Sequence, residues 1–142
     1  MKKIIFLFLI TFIFNLSIAS PRIEIENPWV REASKYGNVS AAYMTIKNNG
    51  DEIDYLIDVN SDVAQIVQIH KMTYKNGVAG MERVKELEIP PKSKVDLTGQ
   101  YHIMLIKLKK DLKAGQHVKL TLIFKKSGKI TVDAVVKSLI PH

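Results

Sequence analysis

After residue 20 the chain alternates apolar and polar positions with a period of two, which is the pattern of half-buried β-strands. The alternation is clearest over residues 119–124 and 129–136, where apolar side chains occupy every second position. Residues 125–128, Lys-Lys-Ser-Gly, supply a short turn, so the two segments are predicted to form a hairpin. Within residues 41–48 the inward positions hold alanine, methionine and isoleucine, which makes Met44 a predicted core residue.

The same pattern predicts further strands, separated by turn residues. They cover Tyr55–Val59, Ala64–Tyr74, Val95–Leu97 and Tyr101–Leu108. A second hairpin is predicted at Lys75-Asn76-Gly77, which joins the Ala64 strand to a strand that contains Met81. Several short strands at this spacing, with few helical patterns, indicate an all-β fold, either a sandwich or a barrel. No internal repeat or linker is visible, so a single domain is expected.

The N-terminus has the pattern of a secretory signal peptide. Two lysines precede an apolar run from Ile4 to Phe14, and small residues follow at Ser17 and Ala19. We therefore expect a signal peptide over residues 1–19, cleaved after Ala19, and a mature domain over residues 20–142. The apolar run is shorter than the roughly 20 residues that span a bilayer, and no cysteine follows it. Neither a stable membrane anchor nor a lipid-modified cysteine is expected.

The charge of the chain narrows the classes of partner. The formal net charge is +7 over 142 residues, and the two leader lysines account for two of these charges. The remaining excess favours an anionic membrane surface or an acidic partner, although a solvated surface explains it equally well. Nucleic-acid binding is not expected, because no basic stripe is interleaved with aromatic residues and the protein is predicted to be exported.

A repeated tripeptide carries the candidate chemistry. His70-Lys71-Met72 and His102-Ile103-Met104 share the His-x-Met pattern, Met81 lies between them, and the chain has no cysteine. On a strand, residues i and i+2 face the same side about 7 Å apart, so each tripeptide can present an imidazole and a thioether together. Thioether sulfur is soft and selects copper(I), and it cannot be lost to a disulfide outside the cytosol. The alternative is that these methionines fill the core and the histidines are structural.

The predicted strands decide whether these side chains can meet. His70 and Met72 lie near the end of one strand, and the following hairpin returns Met81 beside Met72. His102 and Met104 open another strand, whose position beside the first cannot be read from the sequence. If the two strands are neighbours, two nitrogens and two sulfurs form a four-ligand copper(I) site, with Met72 as either a fifth candidate or a packing residue.

The sequence resembles the periplasmic copper chaperones of the PCu(A)C (PCuAC) family over residues 27–136. The resemblance covers Pro28-Trp29-Val30-Arg31, Ala41-Ala42-Tyr43-Met44-Thr45, Ile69-His70-Lys71-Met72, Gly77-Val78, Met81, Tyr101-His102-Ile103-Met104-Leu105, Leu112-Lys113-Ala114-Gly115 and Leu120-Thr121-Leu122-Ile123-Phe124. The family motif is a histidine or methionine, ten residues, a methionine, about twenty-one residues and then His-x-Met. Here ten residues (71–80) and twenty residues (82–101) separate the corresponding positions.

This resemblance implies a cupredoxin-like antiparallel β-sandwich or barrel of the Greek-key type. It implies that His70, Met81, His102 and Met104 hold copper(I) and that the protein is periplasmic. It also implies delivery toward the copper-site subunit of cytochrome c oxidase, a haem-copper oxidase, alongside a thioredoxin-like copper chaperone. His117 matches no ligand position and is expected to be an exposed turn residue.

Other functions are less consistent with the residues present. Without cysteine the chain cannot build a blue-copper electron-transfer site, and no Gly-x-Ser-x-Gly nucleophile elbow occurs, so no enzyme is expected. Zinc sites draw on cysteine, histidine and carboxylates rather than thioethers. Two alternatives stay open, a metal-free secreted β-sandwich that binds a partner, and a protein for copper storage or tolerance.

Overall fold

The computed structural model describes residues 18–139, which form ten strands and one short 3₁₀ turn. The predicted signal peptide, except for its last two residues, and the final residues 140–142 lie outside the described residues. The strands are β1 (Ile23–Arg31), β2 (Val39–Asn48), β3 (Asp54–Asn60), β4 (Ala64–Lys75), β5 (Val78–Val84), β6 (Leu87–Ile89), β7 (Ser93–Leu97), β8 (Tyr101–Leu108), β9 (His117–Phe124) and β10 (Gly128–Lys137). The 3₁₀ turn covers Lys35–Gly37. Within residues 18–139, no helix is long and apolar enough to cross a membrane.

The alternating segments of the sequence are strands, and the two predicted hairpins are present as β9–β10 and β4–β5. Two strands were not anticipated. In β1 the alternation is broken at Asn27, which has a φ of 50°, and the register with β2 shifts between Glu26 and Trp29. Such a bulge moves the following side chains to the other face and hides the period of two. β6 contains only three residues, too few to establish a period.

The strands form one hydrogen-bonded sheet in the order β5-β4-β8-β2-β1-β10-β9-β3-β6, with β7 also paired to β2. Every pair of these strands is antiparallel except β1 and β10, which run parallel. Side chains from both ends of this order share one buried cluster, including Ile69 of β4 and Val59 of β3. The sheet therefore curls over itself around a single core, which confirms the predicted all-β class.

The core contains the residues that the alternation predicted to face inward. Ala42, Met44 and Ile46 of β2 are at most 1% exposed, so the assignment of Met44 to the core is confirmed. In β8, Ile103 and Leu105 are fully buried, and they point away from the face that carries His102 and Met104. This burial fixes the register of β8, because a shift of one residue would turn the candidate ligands into the core.

Near the β6 end of the sheet, a buried aspartate links β3 to the turn between β9 and β10. The carboxylate of Asp54 is buried and accepts hydrogen bonds from the backbone N–H groups of Tyr55, Lys126 and Ser127 and from the Ser127 hydroxyl. Burial raises the pKa of Asp54, but the bonds from Ser127, Lys126 and Tyr55 together lower it below its usual value of 3.8. The ionised carboxylate thus ties β3 to the β9–β10 turn.

Candidate metal centre

Pairing of β4 with β8 brings the two histidines together. His70 and His102 are direct cross-strand partners, and their ring centroids lie 6.2 Å apart. Because directly opposite residues in an antiparallel pair face the same side of the sheet, both imidazoles stand on one surface. The adjacency of these strands, which the sequence left open, is therefore established.

Pairing of β4 with β5 adds the methionine of the hairpin. Met81 lies directly opposite Met72 and is 56% exposed. β5 is the end strand of the sheet order, and six of its seven residues are exposed. The thioether of Met81 is consequently the most accessible of the five candidate donors and stands at the entrance of the site.

The candidate donors border a hollow on this surface. Met104 lies two residues beyond His102, opposite Ala41 of β2 and Gln68 of β4. The hollow has a volume of about 360 Å³ and is lined by Arg31, Ala41, Tyr43, Met72, Met81, Thr98, Gly99, His102 and Met104. We call it the methionine pocket. Met72, which the sequence left as an extra candidate, belongs to its lining, whereas His70 does not.

His70 lies beside the methionine pocket, and only one of its two ring nitrogens has a hydrogen-bond partner. Its Nε2 lies 2.9 Å from the side-chain oxygen Oε1 of Gln68, and its Nδ1 is buried without a hydrogen-bond partner. A carbonyl oxygen only accepts, so Nε2 donates to Oε1 in this arrangement, and a neutral ring then has its lone pair on Nδ1. A buried acceptor without a partner costs free energy, which a bound metal ion would recover.

The charge state of His70 suits metal binding. Burial lowers the pKa of His70 below 6.5, and the neighbouring His102 and Arg83 lower it further. A metal ligand must be the neutral imidazole, so these surroundings favour the form that coordinates. The surroundings of His70 thus favour the neutral ring, and its contact with Gln68 favours the tautomer that carries the proton on Nε2.

The donor set distinguishes between metals. Among residues 18–139 no group of three or more histidine, cysteine, aspartate or glutamate side chains is arranged to hold a metal ion. The cluster instead offers two imidazoles and three thioethers. One of the imidazoles, that of His102, is almost fully buried. Such a set fits copper(I) and lacks the carboxylates and thiolates that zinc, calcium or magnesium sites use.

Two other features contain no soft donor. A larger hollow of about 680 Å³ is lined by twelve residues, six of them charged and of both signs, and includes neither histidine nor methionine. His117, expected to be an exposed turn residue, is exposed at the first position of β9, where its Nδ1 lies 3.3 Å from Asp133. Neither competes with the methionine pocket as a copper site.

Sequence reasoning missed several residues of the site. Arg31 and Tyr43 line the pocket, and the Tyr43 ring stacks on Trp29 with a centroid separation of 4.5 Å. The alternation of β2 contained the signal for Tyr43, because a residue between Ala42 and Met44 must face away from the core. The same alternation in β4 places Gln68 on the face of His70, but its role is visible only in its contact with the His70 ring.

Comparison with known proteins agrees with this geometry. A family model described as putative lipoprotein LpqE-like matches residues 23–136. A putative lipoprotein of Leifsonia xyli subsp. xyli is 32% identical over 117 residues, which cover 81% of this chain and 69% of that protein.

Solved structures with the same fold include two copper-bound proteins. The copper-bound PCuAC domain from PmoF2 superposes with a TM-score of 0.71 and is 30% identical, over 85% of this chain and 96% of that domain. The copper(I) form of DR1885 from Deinococcus radiodurans has a TM-score of 0.68 and is 31% identical, over 87% of this chain and 83% of that chain.

Proposed function

The chain belongs to the PCuAC family, whose matching model is the LpqE-like one, and we propose that it is an exported copper(I) chaperone. The observation that carries the proposal is the convergence of two histidines and three methionines from β4, β5 and β8 on one surface. The copper ion is the cargo of this site. The proposed role is binding and transfer rather than catalysis.

We assign the ligands to His70, Met81, His102 and Met104, with Met72 as a fifth donor in the pocket. His70 would bind through Nδ1, the nitrogen that the structure leaves without a partner. His102 would form the buried side of the site, and Met81 the side open to solvent. All five donors are neutral when they bind, so the complex keeps the single positive charge of copper(I).

The position of Met81 suggests how copper leaves. Because Met81 belongs to an exposed edge strand, an acceptor can displace its thioether first without disturbing the core. The remaining donors are then replaced one at a time, which keeps the ion coordinated throughout. A shallow site of this kind suits a carrier better than a storage protein.

Delivery to the copper centre of a respiratory haem-copper oxidase is the finer part of the proposal. Its support is the family resemblance. Export is supported by the signal peptide predicted over residues 1–19 and by the description of the Leifsonia relative as a putative lipoprotein. A mature protein that begins at Ser20, measured as the intact mass of the exported form, is the expected result, and retention of residue 1 would contradict it.

The binding function is tested by a copper(I) competition titration against a chromogenic chelator. We expect the protein to hold one equivalent, and the double substitution Met81→Leu and Met104→Leu to abolish tight binding while the fold persists. Met44→Leu is the matched control, because Met44 is a core methionine, 1% exposed and outside the site. Absence of binding by the folded parent would favour the metal-free partner-binding alternative.

A further inference from the structure

The methionine pocket is positively charged before any copper binds. Arg31 is the only charged residue among the nine that line it, and no carboxylate faces it from that lining. Within residues 18–139, Arg31 forms no ion pair, and its side chain is only partly exposed. An arginine held in a hollow without a counterion is a ready binding group for an external anion, because its guanidinium pairs well with carboxylates.

Other cations reinforce this charge. Arg83 of β5 is the cross-strand partner of His70 and is close enough to lower its pKa. Lys137 of β10 lies over the Trp29 ring at 5.9 Å, and Trp29 in turn stacks on Tyr43 of the pocket lining. Arg83 and Lys137 also lack ion pairs in the described part of the chain. Arg83 also lines the larger neighbouring hollow, where three glutamates offset part of its charge, so Arg31 is the one cation within the lining of the methionine pocket.

Binding of copper(I) increases the positive charge of the pocket. The neutral donors do not offset the charge of the ion, and the pocket already contains Arg31. The favourable partner for this surface is one of opposite charge, and such complementarity mainly accelerates docking. A second copy of the chain would present the same cations and be repelled. A lipid surface is flat, whereas Arg31 lies in the wall of a concave pocket and is reached by a protruding group.

We propose that copper passes to a protein whose acceptor site is rimmed by carboxylates, and that Arg31 and Arg83 bind those carboxylates when the two proteins dock. This inference rests on the proposed copper-binding function and adds the chemistry of the acceptor to it. The ion moves as copper(I) throughout, so no electron donor or acceptor is needed. Arg31 and Arg83 act on docking and are not ligands.

The test measures copper transfer to two synthetic peptides that share one Cys-Gly-Gly-Cys core and carry either flanking glutamates or flanking glutamines. Copper-loaded protein is mixed with each peptide, and the initial rate of transfer is recorded at low and high salt. The variants are Arg31→Gln, Arg83→Gln and the charge-conserving Arg31→Lys. Lys129→Gln serves as control, because Lys129 is exposed on β10 and outside the pocket lining.

The ratio of the transfer rates to the acidic and the neutral peptide measures the interaction between each arginine and the glutamates. Any intrinsic difference between the peptides cancels when the acidic-to-neutral ratio of each variant is divided by that of the parent. We expect Arg31→Gln and Arg83→Gln each to lower this ratio about threefold to tenfold at low salt. Arg31→Lys should retain most of the parent ratio, Lys129→Gln should leave it unchanged, and high salt should reduce the difference.

Several results would overturn the inference. Equal slowing with both peptides, or no slowing with either, would remove the arginines from docking. Recruitment of the loaded protein to phosphatidylglycerol vesicles through Arg31, without coupling to the acidic peptide, would assign the anion to lipid instead. Copper stoichiometry is measured before any peptide is added, so a protein that does not load copper reveals failure of the proposed function separately.

Discussion

The contact between Gln68 and His70 makes a quantitative prediction about copper affinity. In the variant Gln68→Leu the side chain keeps a similar volume but loses the oxygen that lies 2.9 Å from His70 Nε2. The His70 ring is then no longer held in the tautomer that leaves Nδ1 free. Orienting the ring costs free energy, which weakens copper binding. We therefore expect weaker copper(I) binding in a folded protein.

The size of the effect follows from the place of the contact. Loss of a hydrogen bond that orients a metal-binding histidine typically costs about 10-fold to 100-fold in affinity. The Gln68–His70 contact is only partly buried, so water can replace the lost acceptor in part. We expect the lower limit, about tenfold, which corresponds to about 1.4 kcal/mol. The free energy of unfolding should fall by only about 1 kcal/mol, the value of one neutral hydrogen bond.

Competition titration with a chromogenic chelator measures the affinity, and urea unfolding of the metal-free protein measures the stability. Gln68→Glu is the matched variant, because a carboxylate still accepts from Nε2 and should preserve the affinity. In a His70→Ala background, Gln68→Leu should have no further effect on copper binding. An unchanged affinity in Gln68→Leu, or an equal loss with and without His70, would refute coordination through Nδ1.

Three further predictions concern the scaffold. Gly50→Ala should destabilise the protein by about 1–3 kcal/mol, because the added Cβ would lie 2.2 Å from the Ser20 carbonyl oxygen, whereas Gly37→Ala meets nothing within 4 Å and serves as control in urea unfolding. Asp54→Asn should reduce the loss of stability on acidification. A carboxylate whose pKa is lowered in the folded protein contributes its full stabilisation above pH about 3.8, and the contribution is lost as pH falls through the pKa of the folded state. Melting temperatures of the variant that fall as steeply as the parent's between pH 6 and 2.5 would contradict this. Ile103→Ala should cost about 2–5 kcal/mol, since Ile103 is fully buried, while Ile57→Ala at a 38% exposed position should cost far less; similar midpoints for the two variants would show that β8 does not anchor the core.

Much of this protein could be predicted from local pattern. Alternation in β2, β9 and β10 reveals both the strands and their buried faces, because only one choice of inward face places the apolar side chains of a two-residue period in the core. The His-x-Met spacing could likewise be interpreted without a structure, since residues two apart on a strand share a face. The absence of cysteine and the type of donor already favoured copper(I).

Three features depended on tertiary structure. The bulge at Asn27 concealed β1, because a positive φ interrupts the period on which strand prediction relies. The pairing of His70 with His102 required β8 to lie beside β4, a contact between strands far apart in sequence. Two contacts depended on side-chain conformation and packing: the Gln68 oxygen at His70, within β4, and Arg31 of β1 in the pocket lining.

Local sequence therefore determined which residue types face together within each strand, because that depends only on backbone geometry over a few residues. The tertiary structure decided which strands are neighbours, which histidine nitrogen is free and which charges surround the donors. Those properties follow from long-range pairing and packing, which the core residues specify collectively and no short segment encodes alone.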